Sequence, residues 1–375
     1  MGGRSSRRNF LGAIGLGLSV VSAGCNTLEA QPDRQQPNWS VELDGMPARA
    51  RSVSDHGLVL ATTLTPDGEL GHLRFSGDYK RLADLSRITT APVVYDDRAF
   101  VESNGTIRSI PIDGGDPVRM HSGYLSLGRY EPVVSGSRLF GIGYNDEFEK
   151  YTVFAIDLEA ERVRWIRPFG SMQASIATDG DHVFAASPSG IVRAYSANDG
   201  ATIWKTHVGG DARLTYHDGT VFVATDRGLV ALDSTDGTHL WLAESHWIAS
   251  VNAVPAVADS TVYTLLTLYS THHRNMFATE TYLIAYHASG AERWRTRVNY
   301  GTPLTVTEDA IGVETMEEVE TDRGNRRLKR YLSVFATGGK RLVKYDLPDR
   351  STMRPLIRDN SVIVGYGNTV ASYER

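Results

Sequence analysis

The sequence predicts an all-β protein: an eight-bladed β-propeller of four-stranded antiparallel blades, its ring closed by an N-terminal strand joining the C-terminal blade. Three observations predict it. The first is a repeat. Eight apolar runs, each entered through a polar turn, begin at Leu58, Ala99, Leu139, Val183, Val221, Val262, Ala310 and Val362, and their starts lie 41, 40, 44, 38, 41, 48 and 52 residues apart. A repeat of this length with several strands per unit is that of a propeller. The second is the content of one unit. Between Asp211 and Glu244, four short β runs are separated by His217-Asp218-Gly219, Asp226-Arg227-Gly228 and Thr235-Asp236-Gly237. Glycine tolerates the positive φ that tight hairpins require. The third is the pair of unmatched ends. The last unit has runs at Val362–Tyr366 and Thr369–Tyr373 but no fourth strand, while Trp39–Leu43 is a lone strand with no partner of its own. Pairing the two removes an open sheet edge.

Taken in order, the first element is a leader. Ser6-Arg7-Arg8-Asn9-Phe10-Leu11 resembles a twin-arginine export signal. The apolar run from Leu11 to Ser22 that follows is shorter than the ~20 residues needed to span a bilayer. It fits the core of a signal peptide. Ser22-Ala23-Gly24-Cys25 resembles a lipobox, whose cysteine becomes the lipidated first residue of the mature chain. Residues 1–25 are therefore expected to be a signal peptide, with Arg7 and Arg8 as the export signal and Cys25 as the lipidation site. The expected location is the outer face of the cytoplasmic membrane. Residues 26–38, rich in Gln and Pro, are expected to form a flexible tether. The propeller is expected to occupy 39–375.

Cys25 is the sole cysteine, so no disulfide forms within the chain and no cysteine-based metal cluster exists. The formal charge is −5. Removing a leader that carries Arg4, Arg7 and Arg8 takes the body to about −8. An acidic body is a poor nucleic-acid binder, and none is expected as a partner. Asn38-Trp39-Ser40 and Asn104-Gly105-Thr106 match the glycosylation acceptor pattern of an exported chain.

The second half of each blade carries a motif. Ala231-Leu-Asp-Ser-Thr-Asp-Gly-Thr-His-Leu-Trp241 resembles the Ala-x-Asp-x-x-Thr-Gly-x-x-x-Trp repeat of the PQQ-like propeller family. The stretch from Ala194 to Trp204 matches it with Ser in place of the first Asp. The stretch from Ala155 to Trp165 lacks the Gly, and that from Ala285 to Trp294 is one residue shorter. In physical terms the Ala lets sheets approach, the Gly makes the turn and the Trp wedges between blades. Trp39, Trp165, Trp204, Trp241 and Trp294 are therefore expected to be structural.

The resemblance covers the body through its repeat and not through site residues. It embraces quinoprotein alcohol dehydrogenases and the non-enzymatic BamB-type lipoprotein scaffolds of outer-membrane assembly. For the enzymes it implies a vicinal cysteine pair over the quinone, a Trp beneath it, and carboxylate and amide ligands around calcium. One cysteine cannot make that pair, and no spaced Asp-x-Asp calcium loop is visible in the sequence. PQQ is not expected to bind, and no catalytic, cofactor-binding or metal-ligating residue is assigned. The expectation is a non-catalytic, lipid-anchored scaffold that binds an envelope protein or an extracellular ligand. A quinoprotein-like oxidoreductase and a carbohydrate- or solute-binding propeller are the alternatives.

Function is expected on one face. In each blade the hairpin joining the second and third strands shares a face with the crossover to the next blade. Four of those hairpins are enlarged: Thr65–Gly71, Tyr144–Lys150, Tyr269–Phe277 and Met316–Arg330. Long loops on a rigid scaffold are where binding resides. Tyr144, Tyr269 and Met316 mark this face. So do His246 and Trp247, in a crossover, where Trp247 is the one Trp outside the repeat. His272-His273 is a poor metal pair, because neighbours on an extended segment point to opposite faces.

Overall fold

A computed structural model describes residues 36–53, 57–63, 67–86, 88, 91–122, 126–127, 132–145, 148–170, 175–245, 248–269, 279–298, 304–320, 326–349 and 352–375. The leader, most of the expected tether, His246, Trp247, His272 and His273 lie outside the described residues. Every described element is β, in eight antiparallel sheets. Strands of a blade are lettered a to d from the inside outward. All eight runs that predicted the repeat lie in b strands, from Gly57–Thr63 in blade 1 to Ser361–Tyr366 in blade 8.

The closing strand is as expected. Trp39–Glu42 is strand d of blade 8 and runs antiparallel to Thr369–Glu374, with Trp39 opposite Ser372 and Glu42 opposite Thr369. Pairing begins at the last residue of the expected tether, since the Asn38 N–H donates to the Ser372 carbonyl at 2.7 Å. Seven c–d pairs are hairpins, and each carries a register shift. The blade 8 pair, built from the two chain ends, runs without one.

Eight apolar clusters hold the ring, one at each blade interface. Val59, Leu70 and Ile110 lie between blades 1 and 2, and Phe184, Trp204 and Val223 between blades 4 and 5. Leu58, Leu60, Met353 and Ile363 close blade 8 on blade 1. The b strands supply both faces of these clusters, so they read as continuous apolar runs.

The motif tryptophans behave alike. Their indole N–H groups donate to a turn carbonyl of the next blade: Trp39 to Phe75 at 2.9 Å, Trp165 to Ala197 at 3.1 Å, Trp204 to Ser234, Trp241 to Ala288 and Trp294 to Thr337 at 2.9 Å each. The rings lie on the turn glycine of that blade. A Cβ on Gly237 would come within 2.5 Å of Trp204, and one on Gly290 within 2.9 Å of Trp241. Only glycine permits this approach, at a φ of +73° and +95° respectively.

Reading across strands b, c and d at this level gives Phe222, Ala231 and Trp241 in blade 5. In blade 1 the same level holds Val59, His72 and Lys80. In blade 2 it holds Phe100, Ser109 and Val118, and in blade 7 Ile311, Phe335 and Arg341. Three interfaces therefore lack the wedge.

Candidate functional site

Strand direction puts b–c hairpins and d–a crossovers on one face, and a–b and c–d turns on the other. On the first face three hairpins stand above the rest. They are Arg138–Asn145 with Lys150–Asp157 in blade 3, Thr261–Tyr269 with Thr279–His287 in blade 6, and Ala310–Glu320 with Arg326–Ala336 in blade 7. Blades 3 and 6 add a second inner strand beside the raised part, Ser126–Leu127 and Ile248–Val251.

The segment from Met316 to Arg330, expected as a long loop, is mostly ladder. Met316 pairs with Arg330, Glu317 with Lys329 and Glu320 with Arg326. The inner strand reaches only Val313 and the outer one only Arg330, so the tip is a free two-stranded ribbon. Opposite charges across the strands favour this register in water. Thr65–Gly71 is likewise shorter than expected as a loop, because a strand spans Asp67–Arg74.

The ribbon is tied down by charge. Glu314, 1% exposed, accepts from Arg330 at 2.5 Å. Glu317 takes both Arg341 at 3.0 Å and Lys344 at 2.7 Å, and Lys329 reaches Asp346 at 2.6 Å. The Lys344 ammonium also lies 4.1 Å from the Tyr331 ring centre.

Between blades 6 and 7 the raised hairpins leave a cleft of about 600 Å³. One wall is a chain of hydrogen bonds across blade 6. Ser250 donates to the Asn252 side-chain oxygen at 2.8 Å, the Asn252 amide donates to Thr267 at 2.7 Å, and Thr267 meets Thr281 at 2.9 Å. Met316, Glu318 and Leu328 form the other wall. Leu328 is 66% exposed. Arg297 also lines the cleft and pairs with Glu280 at 2.8 Å, which in turn accepts from Tyr282 at 2.6 Å. The arrangement suits recognition: neutral donors and acceptors on one side, the apolar Met316 and Leu328 beside Glu318 on the other, and Arg297 in the lining. Among the described residues no group of three or more His, Cys, Asp or Glu could hold a metal ion.

Of the expected site residues, Met316 enters the cleft wall, and Tyr269 closes strand b of blade 6 opposite Thr279, which lines the same cleft. Tyr144 stands on blade 3, edge-on to Tyr151 at 5.3 Å, and is not brought to that cleft. Five of the ten large apolar side chains exposed among the described residues lie on this face: Met46, Tyr144, Phe148, Tyr269 and Leu328. Sequence reading missed the hydroxyl chain and the charged root of the ribbon. Their members are far apart in sequence and only the fold aligns them.

Asn104 sits exposed at the b–c turn of blade 2 with φ +51°. Its neighbour Glu102 is buried, accepts the Gly105 N–H at 2.5 Å, and is pushed by burial up to about 7. An unfolded glutamate titrates near 4.5. The folded state therefore binds the proton more tightly. The resulting stabilisation is complete below about pH 4.5 and is lost as pH rises through about 7. The melting temperature is expected to fall between about pH 5 and about pH 8, and Glu102→Gln should flatten that fall. A wild-type slope unchanged in Glu102→Gln would assign it to other groups.

Comparison with known proteins follows the architecture. A family model described as outer membrane protein assembly factor BamB matches residues 80–206 and 188–267, together half of the chain. Outer membrane protein assembly factor BamB of Yersinia pestis is 34% identical over 73 residues, 19% of this chain and 19% of that protein. The match thus spans about a fifth of that relative's length. The crystal structure of BamB from Moraxella catarrhalis superposes with a TM-score of 0.64 at 15% identity, covering 91% of this chain and 97% of that one. Quinohemoprotein alcohol dehydrogenase ADHIIG from Pseudomonas putida HK5 gives 0.64 at 12% identity, covering 91% and 76%. At such identities the structural matches speak for the fold alone.

Proposed function

The chain belongs to the PQQ-like propeller repeat family whose model bears the BamB description, and from that premise we propose that it is a non-catalytic scaffold of the cell envelope. It binds an envelope protein or extracellular ligand through the face of raised hairpins. The observation that carries this reading is the set of exposed apolar side chains on that face: Tyr144, Tyr269 and Leu328 on strands, and Phe148 in the turn between the raised strands of blade 3. Apolar groups set among polar ones on a fixed frame are the anatomy of a protein interface. The name carried by the Yersinia pestis relative, an assembly factor, agrees with a protein partner. His246 and Trp247 belong to the same proposal through their place in the crossover between blades 5 and 6.

The address is part of the proposal. Arg7-Arg8 directs export, and a lipid on Cys25 holds the mature chain at the outer face of the cytoplasmic membrane. A single modified residue then accounts for membrane attachment. Asn38 and Asn104 stand as glycosylation acceptors in the exported chain.

The test is affinity capture from crosslinked membranes of the native host. Tyr144→Ser with Phe148→Ser and Leu328→Ser is expected to abolish capture of the partner seen with wild type. The melting temperature should stay nearly unchanged, because these side chains are already exposed. Equal capture by wild type and the triple variant would remove this face from consideration. Cys25→Ser in the same strain is expected to shift the protein to the medium.

A further inference from the structure

The opposite face carries an open cleft at an interface that lacks its tryptophan. At five interfaces an indole lies on the next blade's turn glycine and donates to a turn carbonyl beside it. Between blades 1 and 2 the equivalent side chain is Lys80. It lies over Gly114, whose ideal Cβ would be 3.3 Å from the Lys80 ammonium, at a φ of +98°. Lys80 donates to the Asp113 carbonyl. The carbonyl that matches the acceptors at Gly77, Gly290 and Gly339, two residues before the glycine, is that of Ile112. A thin flexible chain has replaced a ring, and a cleft of about 660 Å³ lies open there, lined by His72, Arg74, Asp78, Lys80, Asp97, Ile112 and Asp113. That volume lies within the usual range of small-molecule sites, about 300–1,000 Å³.

We propose that this cleft binds a free aromatic amino acid. Lys80 swings off the Asp113 carbonyl on binding, and the ring then takes the place that an indole holds at the five complete interfaces, against Ile112 and the turn at Gly114, with a ring N–H directed to the Ile112 carbonyl. The charges around it match a zwitterion. Arg74 and Lys80 meet the carboxylate, and Asp78, Asp97 and Asp113 surround the ammonium. Three carboxylates against two cations disfavour a simple anion. The ordinary apolar packing of this interface is met below the cleft by Val59, Leu70, Leu85 and Ile110, so the opening is not needed to complete the core. The site faces away from the raised hairpins and is independent of the partner proposed there.

Isothermal titration calorimetry of the full chain with L-tryptophan tests it. Saturable one-to-one binding is expected to wild type. Lys80→Trp, which restores the repeat and fills the socket from within, is expected to weaken it at least tenfold, and so is Arg74→Ala, an exposed change with little bearing on folding. N-acetyl-tryptophanamide, which keeps the ring but lacks both charges, should also bind at least tenfold more weakly. Failure of L-tryptophan to saturate wild type would overturn the proposal. So would equal binding by Lys80→Trp, or equal binding of N-acetyl-tryptophanamide, which would assign the socket to an aromatic side chain within a longer chain.

Discussion

Deleting residues 39–44 is expected to lower the unfolding free energy by about 3–5 kcal/mol or more, whereas deleting 26–36 should leave it nearly unchanged. The closing strand contributes four ladder positions against Thr369–Glu374. It also brings the Trp39 indole N–H to the Phe75 carbonyl of blade 1 and buries Leu43 between blades 8 and 1. Without it strand c of blade 8 becomes an open edge, and the turn at Gly77 loses the ring that lies on it. Loss of a fully buried large aromatic costs about 3–5 kcal/mol; Trp39 is half-buried, and the lost ladder and buried Leu43 add to its share. Among the described residues the ring shows no other strand pairing between its first and last blades, so the loss is felt at the closure and not spread over the molecule. Chemical denaturation of the two truncations side by side decides it. Equal midpoints would mean that closure rests on the side-chain core of Leu58, Leu60 and Ile363 and not on the strand.

That closure was legible in the sequence because it follows from counting. A blade needs four strands, the last unit had three, and a Trp in the strand d position stood unpartnered at the other end. The b strands were legible for a different reason. They are covered on both faces, so they form unbroken apolar runs such as Val221–Ala224 between Asp-Gly turns. Where pattern and burial part company, the reading stopped short. The blade 7 ribbon has neither face buried at its tip, so Glu317–Glu320 and Arg326–Lys329 read as loop. What orders them is cross-strand charge, which leaves no periodic apolar signal. The Lys80 position was hidden as well. In blade 1 the register shift falls between Leu70 and Gly71, before the level of His72 and Lys80, whereas in blade 5 it falls after Ala231 and Trp241. Spacing from the turn therefore gives the wrong residue, and only the ladder shows which side chain stands in for the indole. The cleft between blades 6 and 7 draws on residues from Ser250 to Leu328, with no local motif to announce it.

Trp204→Ala is expected to cost about 3–5 kcal/mol, while Lys80→Ala, at the same ladder level in blade 1, should change stability by less than about 0.5 kcal/mol. Trp204 is 7% exposed, its ring centre lies 5.9 Å from that of Phe184, and it packs in one cluster with Leu214, Val221 and Val223. Truncation leaves a void that the two sheets cannot close, because their spacing is set by ladders on either side. It also leaves the Ser234 carbonyl without its donor, inside a turn that the ring had covered. Lys80 has an exposed side chain over a cleft that is already open. Its removal frees a carbonyl that water can reach and leaves the apolar cluster below the cleft in place. The contrast isolates the wedge from the position. If both variants lost the same stability, the level itself, through its backbone pairing, would be what holds the blades, and the tryptophan of the repeat would be incidental to the ring. If Trp204→Ala alone is destabilised, the tolerance of Lys80 explains how one interface can give up its indole and keep a pocket without opening the propeller.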